Sequence, residues 1–219
     1  MRSVPLILGV LASGRGSNLQ AILDAIGAGR CPARVAVVVS DRKDATALER
    51  ARAAGVRAVH LDPRAYPDRV VFDDAVARTL DEHAVELVCL AGYMRVLSGE
   101  FVRRYHRRIL NVHPALLPEF PGLHAQRQAF EHGVKVSGAT VHLVDEGVDT
   151  GPIVLQAAVP VLEGDTEATL SARILTEEHR LYPEAIRLYA EDRLVVSGRR
   201  VSVRPPAEGR RPSPETGPD

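Results

Sequence analysis

The sequence predicts an α/β fold: a mostly parallel sheet that becomes mixed in its C-terminal part, with helices on both faces. Three observations carry this. Through the first half, short β-branched runs alternate with longer amphipathic stretches, the rhythm of strands joined by crossover helices. The strand candidates there are almost continuously apolar, as strands covered on both faces must be. After residue 109 that rhythm gives way to prolines and to runs interrupted by polar residues. The arrangement is Rossmann-like.

Taken in order, Leu6 to Leu11 is the first strand and runs into Ser13-Gly14-Arg15-Gly16. Leu19, Ile22, Leu23 and Ile26 then fall at helical spacing within Asn18 to Ala28. Val35 to Val39 and Arg57 to Leu61 are the next strands, separated by a helix over Ala45 to Ala54. Val70 to Glu82 offers one apolar and one charged face, and Leu87 to Leu90 and Ile109 to Val112 complete the parallel set. Pro114, Pro118 and Pro121 force an irregular segment, after which Leu123 to His132 reads as a short helix stopped by Gly133. In Ala139 to Val144 and Ile153 to Val159, Thr140, His142 and Gln156 interrupt the apolar positions, as in half-exposed antiparallel strands. Glu167 to Glu191 is a long amphipathic helix interrupted at Pro183, with Leu170, Ile174, Leu181, Ile186 and Leu188 as core positions. Beyond Val203 the chain is too rich in Pro, Gly and Arg to repay ordering. Residues 1–203 are therefore expected to form one domain, and 204–219 a disordered tail.

Composition narrows the function classes. The 219 residues carry 28 Lys plus Arg against 28 Asp plus Glu, with 45% hydrophobic residues, so a full core is expected and no overall charge draws the chain to nucleic acid or acidic membranes. No apolar run approaches the ~20 residues that cross a bilayer. The N-terminal apolar stretch is short and Gly-interrupted, unlike a signal peptide. Cys31 and Cys89 stand far apart outside any CxxC pattern, which suits a reducing cytoplasm. No HExxH or GxSxG is present, so neither a metal nor a covalent nucleophile is expected.

Three segments can carry chemistry. Ser13 to Asn18 lies between the first strand and helix, where backbone amides and the helix dipole can hold an anion; a plain turn with Ser17 or Asn18 as N-cap fits as well. It lacks the third glycine of GxGxxG, because Leu19 stands there. Asn111 to Gly122 runs off a strand end, and alternation gives Asn111 and His113 a common face. An amide donor beside an imidazole can stabilise an oxyanion and move a proton, yet a structural histidine would look the same. Asp145 to Pro152 is an acidic loop whose Asp149 could charge and orient a histidine, or simply be a solvated turn.

In chain order, Gly14 to Gln20 (GRGSNLQ), Leu90 to Leu97 (LAGYMRVL), Asn111 to Gly122 (NVHPALLPEFPG), Gly138 to His142 (GATVH) and Asp149 to Gln156 (DTGPIVLQ) resemble the folate-dependent formyltransferase family. The likeness extends through about Leu194. The GSN turn and Glu178-His179-Arg180-Leu181-Tyr182-Pro183 resemble the branch that acts on glycinamide ribonucleotide.

The resemblance implies a single formyltransferase-type domain that moves the formyl group of 10-formyltetrahydrofolate, a co-substrate, to the amine of N1-(5-phospho-D-ribosyl)glycinamide in purine synthesis. It implies Asn111, His113 and Asp149 as the catalytic trio, with Asp149 holding His113 charged. Gly16, Ser17, Asn18 and Glu178 would bind the ribonucleotide. Arg69, Met94, Arg95, Val96, Leu97, Asn111, Val144, Asp145 and Asp149 would bind the folate. The expected partners are these small molecules, with no metal, nucleic acid or membrane, and the chain would act as a monomer or homodimer. Ala115 stands where many relatives have Ser, and Leu175 replaces a residue that is often polar. Alternatives within the family are enzymes acting on methionyl-tRNA, which carry an added C-terminal domain, or on a nucleotide sugar, and a formyltetrahydrofolate hydrolase, which usually carries a regulatory domain. A noncatalytic nucleotide-binding module would leave Asn111, His113 and Asp149 unexplained.

Overall fold

The structure, a computed structural model, describes residues 4–206. Its strands and helices alternate through the first half: β1 (Leu6–Leu11), α1 (Ser17–Gly27), β2 (Ala33–Ser40), α2 (Thr46–Ala53), β3 (Arg57–His60), α3 (Arg69–Glu82), β4 (Leu87–Leu90), α4 (Gly99–Arg104) and β5 (Ile109–His113). Then follow α5 (Ala125–His132), β6 (Val136–Leu143), β7 (Ile153–Pro160), α6 (Glu167–Ala190) and a terminal hairpin, β8 (Leu194–Ser197) with β9 (Arg200–Val203). The main sheet has the order β3-β2-β1-β4-β5-β6-β7. β1 to β5 pair in parallel, and β6 and β7 are antiparallel, as the change of rhythm after residue 109 predicts.

Apolar side chains pack on both faces of this sheet. On one, Leu8 and Val10 of β1 meet Leu19 and Ile22 of α1, Leu48 of α2 and Ile174 and Ile186 of α6. On the other, Leu11 and Val37 meet Phe72, Val76 and Leu80 of α3 with Phe101 and Tyr105 around α4. Burial on both sides is why the central strands read as continuous apolar runs.

Several expectations are corrected. Pro183 does not interrupt α6, which runs unbroken from Glu167 to Ala190 with Pro183 buried. The flanking Tyr182, Ala185 and Ile186 are buried against the sheet, and this packing carries the helix past the missing N–H. β6 is not half-exposed: every residue after Val136 is buried. Thr140 is tolerated there because its hydroxyl donates to Ala115 O at 2.7 Å and accepts from Leu117 N at 3.1 Å. The N-cap of α1 is Gly16, in the left-handed region at φ 69°, and not Ser17 or Asn18. A Cβ on Gly16 would stand 2.7 Å from Ala47 Cα of α2, so both conformation and space demand glycine. The helix α4 and the hairpin β8–β9 lack a sequence signal strong enough to predict them. Of the expected tail, residues 207–219 lie outside the described residues.

Candidate active site

β1 has β2 on one side and β4 on the other, so the connections from β1 and β4 leave in opposite directions and open a crevice at their carboxyl ends. A cavity of about 870 Å³ occupies it. Its walls are residues 13–18 after β1, 90–97 after β4, 111–114 at the end of β5, 144–149 after β6, and one face of α6 that includes Leu175 and Glu178.

Asn111 and His113 lie on the same side of β5 because side chains alternate along a strand. The antiparallel neighbour β6 sets His142 opposite Asn111. The β6–β7 loop returns Asp149 to the same place, in a left-handed conformation at φ 54°. The three expected catalytic side chains therefore meet. Asn111 Nδ2 donates to Asp149 Oδ1 at 3.4 Å and lies 3.1 Å from His142 Nε2. His113 Nδ1 is 3.3 Å from Asp149 Oδ2, and its Nε2–H donates to Phe120 O at 2.8 Å. Asp149 Oδ2 also accepts from Gly122 N at 2.8 Å.

The electrostatics correct one expectation. Burial pulls the His113 imidazole below its ordinary pKa, outweighing the upward pull of the Asp149 carboxylate and the Phe120 carbonyl. Yet each ring nitrogen faces an acceptor, so only the doubly protonated ring satisfies both contacts. His113 is thus shaped for the imidazolium form while burial makes its proton easy to lose, which suits a general acid near neutral pH. For Asp149 burial pushes upward, but hydrogen bonds from His142 and Gly122 and the nearby imidazoles hold the carboxyl below its usual range.

At one end of the cavity, no side chain caps α1, so its first N–H groups remain for a ligand. Asn18 Nδ2 donates to Glu178 Oε2 at 2.7 Å, while the buried Asn18 Oδ1 has no partner among the described residues. Burial pushes the Glu178 carboxyl up, against the Asn18 hydrogen bond and the charge of Arg15. At the other end lie Met94, Arg95, Val96 and Leu97 with Val144 and Asp145. Met94 and Val96 are 59% and 55% exposed, an apolar surface open to a flat ligand. Asp145 accepts from Thr150 Oγ1 at 2.6 Å and Gly147 N at 3.1 Å, so it shapes its own loop.

Arg69 is the exception among the expected residues. It begins α3, is exposed, and does not line the cavity. Conversely, His142 and Arg42 line the cavity without having been singled out. The sequence signals for the former were the alternation Thr140, His142 and its place at the end of the GATVH segment; Arg42 arrives just after β2 at the crevice and had none. Among the described residues no group of three His, Cys, Asp or Glu side chains is placed to hold a metal ion, and no helix is long and apolar enough to cross a membrane.

With this geometry in view, comparison with known proteins is informative. The sequence model of a family described as formyl transferase matches residues 7–186. The phosphoribosylglycinamide formyltransferase of Escherichia coli is 46% identical over 84% of this chain and 87% of its own length. The trifunctional purine biosynthetic protein adenosine-3 of Drosophila pseudoobscura is 50% identical over 88% of this chain, which spans only 14% of that longer protein. The crystal structure of glycinamide ribonucleotide transformylase 1 from Symbiobacterium toebii is 64% identical, with a TM-score of 0.90, and the match covers 92% of this chain and 95% of that one. The shared fold, the extent of the family match and the convergence of Asn111, His113 and Asp149 in one crevice lead to the same conclusion: this chain belongs to the formyl transferase family.

Proposed function

We propose that this chain transfers the formyl group of 10-formyltetrahydrofolate to the amine of N1-(5-phospho-D-ribosyl)glycinamide, giving the N-formyl product and tetrahydrofolate. The observation that carries the reading is that Asn111, His113 and Asp149 converge in a cavity with two unlike arms. The arm at Gly16, Ser17, Asn18 and Glu178 offers uncapped helix N–H groups to a phosphate and a carboxylate to a polyol. The arm at residues 94–97 and 144–149 offers apolar surface to the folate ring.

The substrate amine supplies the nucleophile, so no side chain forms a covalent bond. Its nitrogen attacks the formyl carbon, and the carbonyl electron pair moves to oxygen. Asn111 Nδ2 and the His113 Nε2–H, which Phe120 O holds in the free enzyme, donate to that oxyanion. As the bond from carbon to the folate N10 breaks, the amine loses a proton and N10 gains one. His113 is the exchanging acid, and Asp149 stabilises its charged form. The bond energies gained at the oxyanion exist only in the transition state, so they raise turnover rather than binding.

The test is an assay of the purified protein with 10-formyltetrahydrofolate and, in separate reactions, the ribonucleotide, methionyl-tRNA or no acceptor. Formylated ribonucleotide as the only formyl-bearing product, with an equal amount of tetrahydrofolate, is expected. Formate released without an acceptor would mark a hydrolase, and formylated tRNA a different acceptor class; either result ends the reading.

A further inference from the structure

Asp73 is a carboxylate that the reaction does not use. It lies on α3, is 1% exposed, and does not line the cavity. Its Oδ2 accepts the backbone N–H of Ser98 at 2.6 Å, and the Ser98 hydroxyl bonds to it as well. Ser98 ends the stretch Met94 to Leu97 and caps α4, its Oγ accepting from Phe101 N at 3.3 Å. The neighbouring Phe72 places its ring 5.0 Å beneath the Arg95 guanidinium, and the charges of Arg69 and Arg95 both bear on Asp73. Two consecutive residues of one helix thus hold both the end of the folate-side wall and an arginine within it.

A buried carboxylate is costly, and an apolar side chain would fill this place at lower cost. What only the carboxylate supplies is a fixed acceptor for a buried N–H together with a charge facing two arginines. We propose that Asp73 is a positioning residue for the formyl-folate donor, setting the path of residues 94–98 and the orientation of Arg95 without touching substrate. This rests on the formyl-folate reading above. It also gives Arg69 a place: outside the cavity, but coupled to its wall through Asp73.

The test measures both Michaelis constants, the affinity of an unreactive folate analogue by calorimetry, and urea unfolding. Asp73→Ala strands the Ser98 N–H and is expected to raise the folate KM and the analogue Kd about tenfold, leaving the ribonucleotide KM unchanged. Asp73→Asn restores an acceptor and is expected to recover most of that loss. An equal loss toward both substrates, or none toward the folate, overturns the proposal. Should Asp73→Ala fail to fold, Ser98→Ala removes the hydroxyl arm together with the α4 cap and keeps the main-chain bond to Asp73; a folate-selective rise in KM of about threefold with the ribonucleotide KM unchanged supports the proposal, and its absence overturns it. A wild-type protein that binds no analogue would sink the formyl-folate reading, whereas normal wild-type binding with an unaltered Asp73→Ala variant would sink this inference alone.

Discussion

At the scale of single residues, His113 sits between two acceptors in a buried place, and its charge state follows from which influence is removed. Asp149 raises the imidazole pKa while burial lowers it further than Asp149 can restore. Asp149→Asn deletes the upward influence, so the His113 pKa should fall again and less imidazolium should remain at neutral pH. In a pH-rate profile, the decline in turnover on the alkaline side should then begin at a lower pH than in the wild type, with a smaller maximum. A profile of unchanged shape would show that Asp149 does not govern the proton on His113. Glu178 runs the opposite way. Its folded-state pKa is raised by burial, so between the unfolded value near 4.5 and that raised value the native state holds more protons than the unfolded chain. Stability therefore falls as pH rises through this window, and above it the full penalty of the buried charge remains. Glu178→Gln should be more stable relative to wild type at pH 7 than at pH 4, read from urea midpoints, while binding the ribonucleotide less tightly. A stability difference that does not change with pH would contradict the assignment.

At the scale of elements, α6 is the beam that joins the site to the sheet. Thr166 caps it through a reciprocal pair of hydrogen bonds with Thr169, and the helix carries Glu178 into the cavity. One turn further, the fully buried Tyr182 directs its hydroxyl to Leu90 O at 3.0 Å, the last residue of β4, and to Leu110 O at 2.9 Å, near the start of β5. One hydroxyl thus ties the end of β4, which leads into the folate-side wall, to the residue of β5 that precedes Asn111. Tyr182→Phe leaves those carbonyls without that donor and should cost about 1–3 kcal/mol in denaturant unfolding. A loss below about 0.5 kcal/mol would indicate that other donors take its place. β6 plays the complementary part. Thr140 holds the loop after β5, and Gln156 Nε2 of β7 reinforces it through Leu117 O at 2.9 Å. That loop presents Phe120 O to His113. Thr140, which made β6 read as half-exposed, is in truth a buried anchor for the catalytic loop, whereas β7 is half-exposed as expected and its Gln156 reaches that loop from the surface.

At the scale of the whole molecule, the legible features are those written in local pattern. Continuous apolar runs marked the parallel strands, helical spacing marked the helices, and the prolines after residue 113 marked the irregular loop. The trio Asn111, His113 and Asp149 and the GSN turn were legible through their motifs. Pro183 misled because its local effect is to break a helix, whereas the burial of Tyr182 and Ile186 overrides it. Thr140 and His142 misled because hydrogen-bond partners far along the chain make polar residues admissible inside. Asp73 carried no signal at all, since its partner Ser98 is 25 residues away. The sequence by itself determined the main-sheet strands and the longer helices, that the sheet turns antiparallel, and which chemical groups are available, because these depend on neighbours a few residues apart; α4 and the hairpin β8–β9 it did not mark. Only the tertiary structure decided that His113 is pulled down by burial, that Arg69 stands outside the cavity, and that Glu178 meets Asn18. Burial and electrostatic balance are sums over residues from every part of the chain, and they exist only once the sheet has brought those parts together.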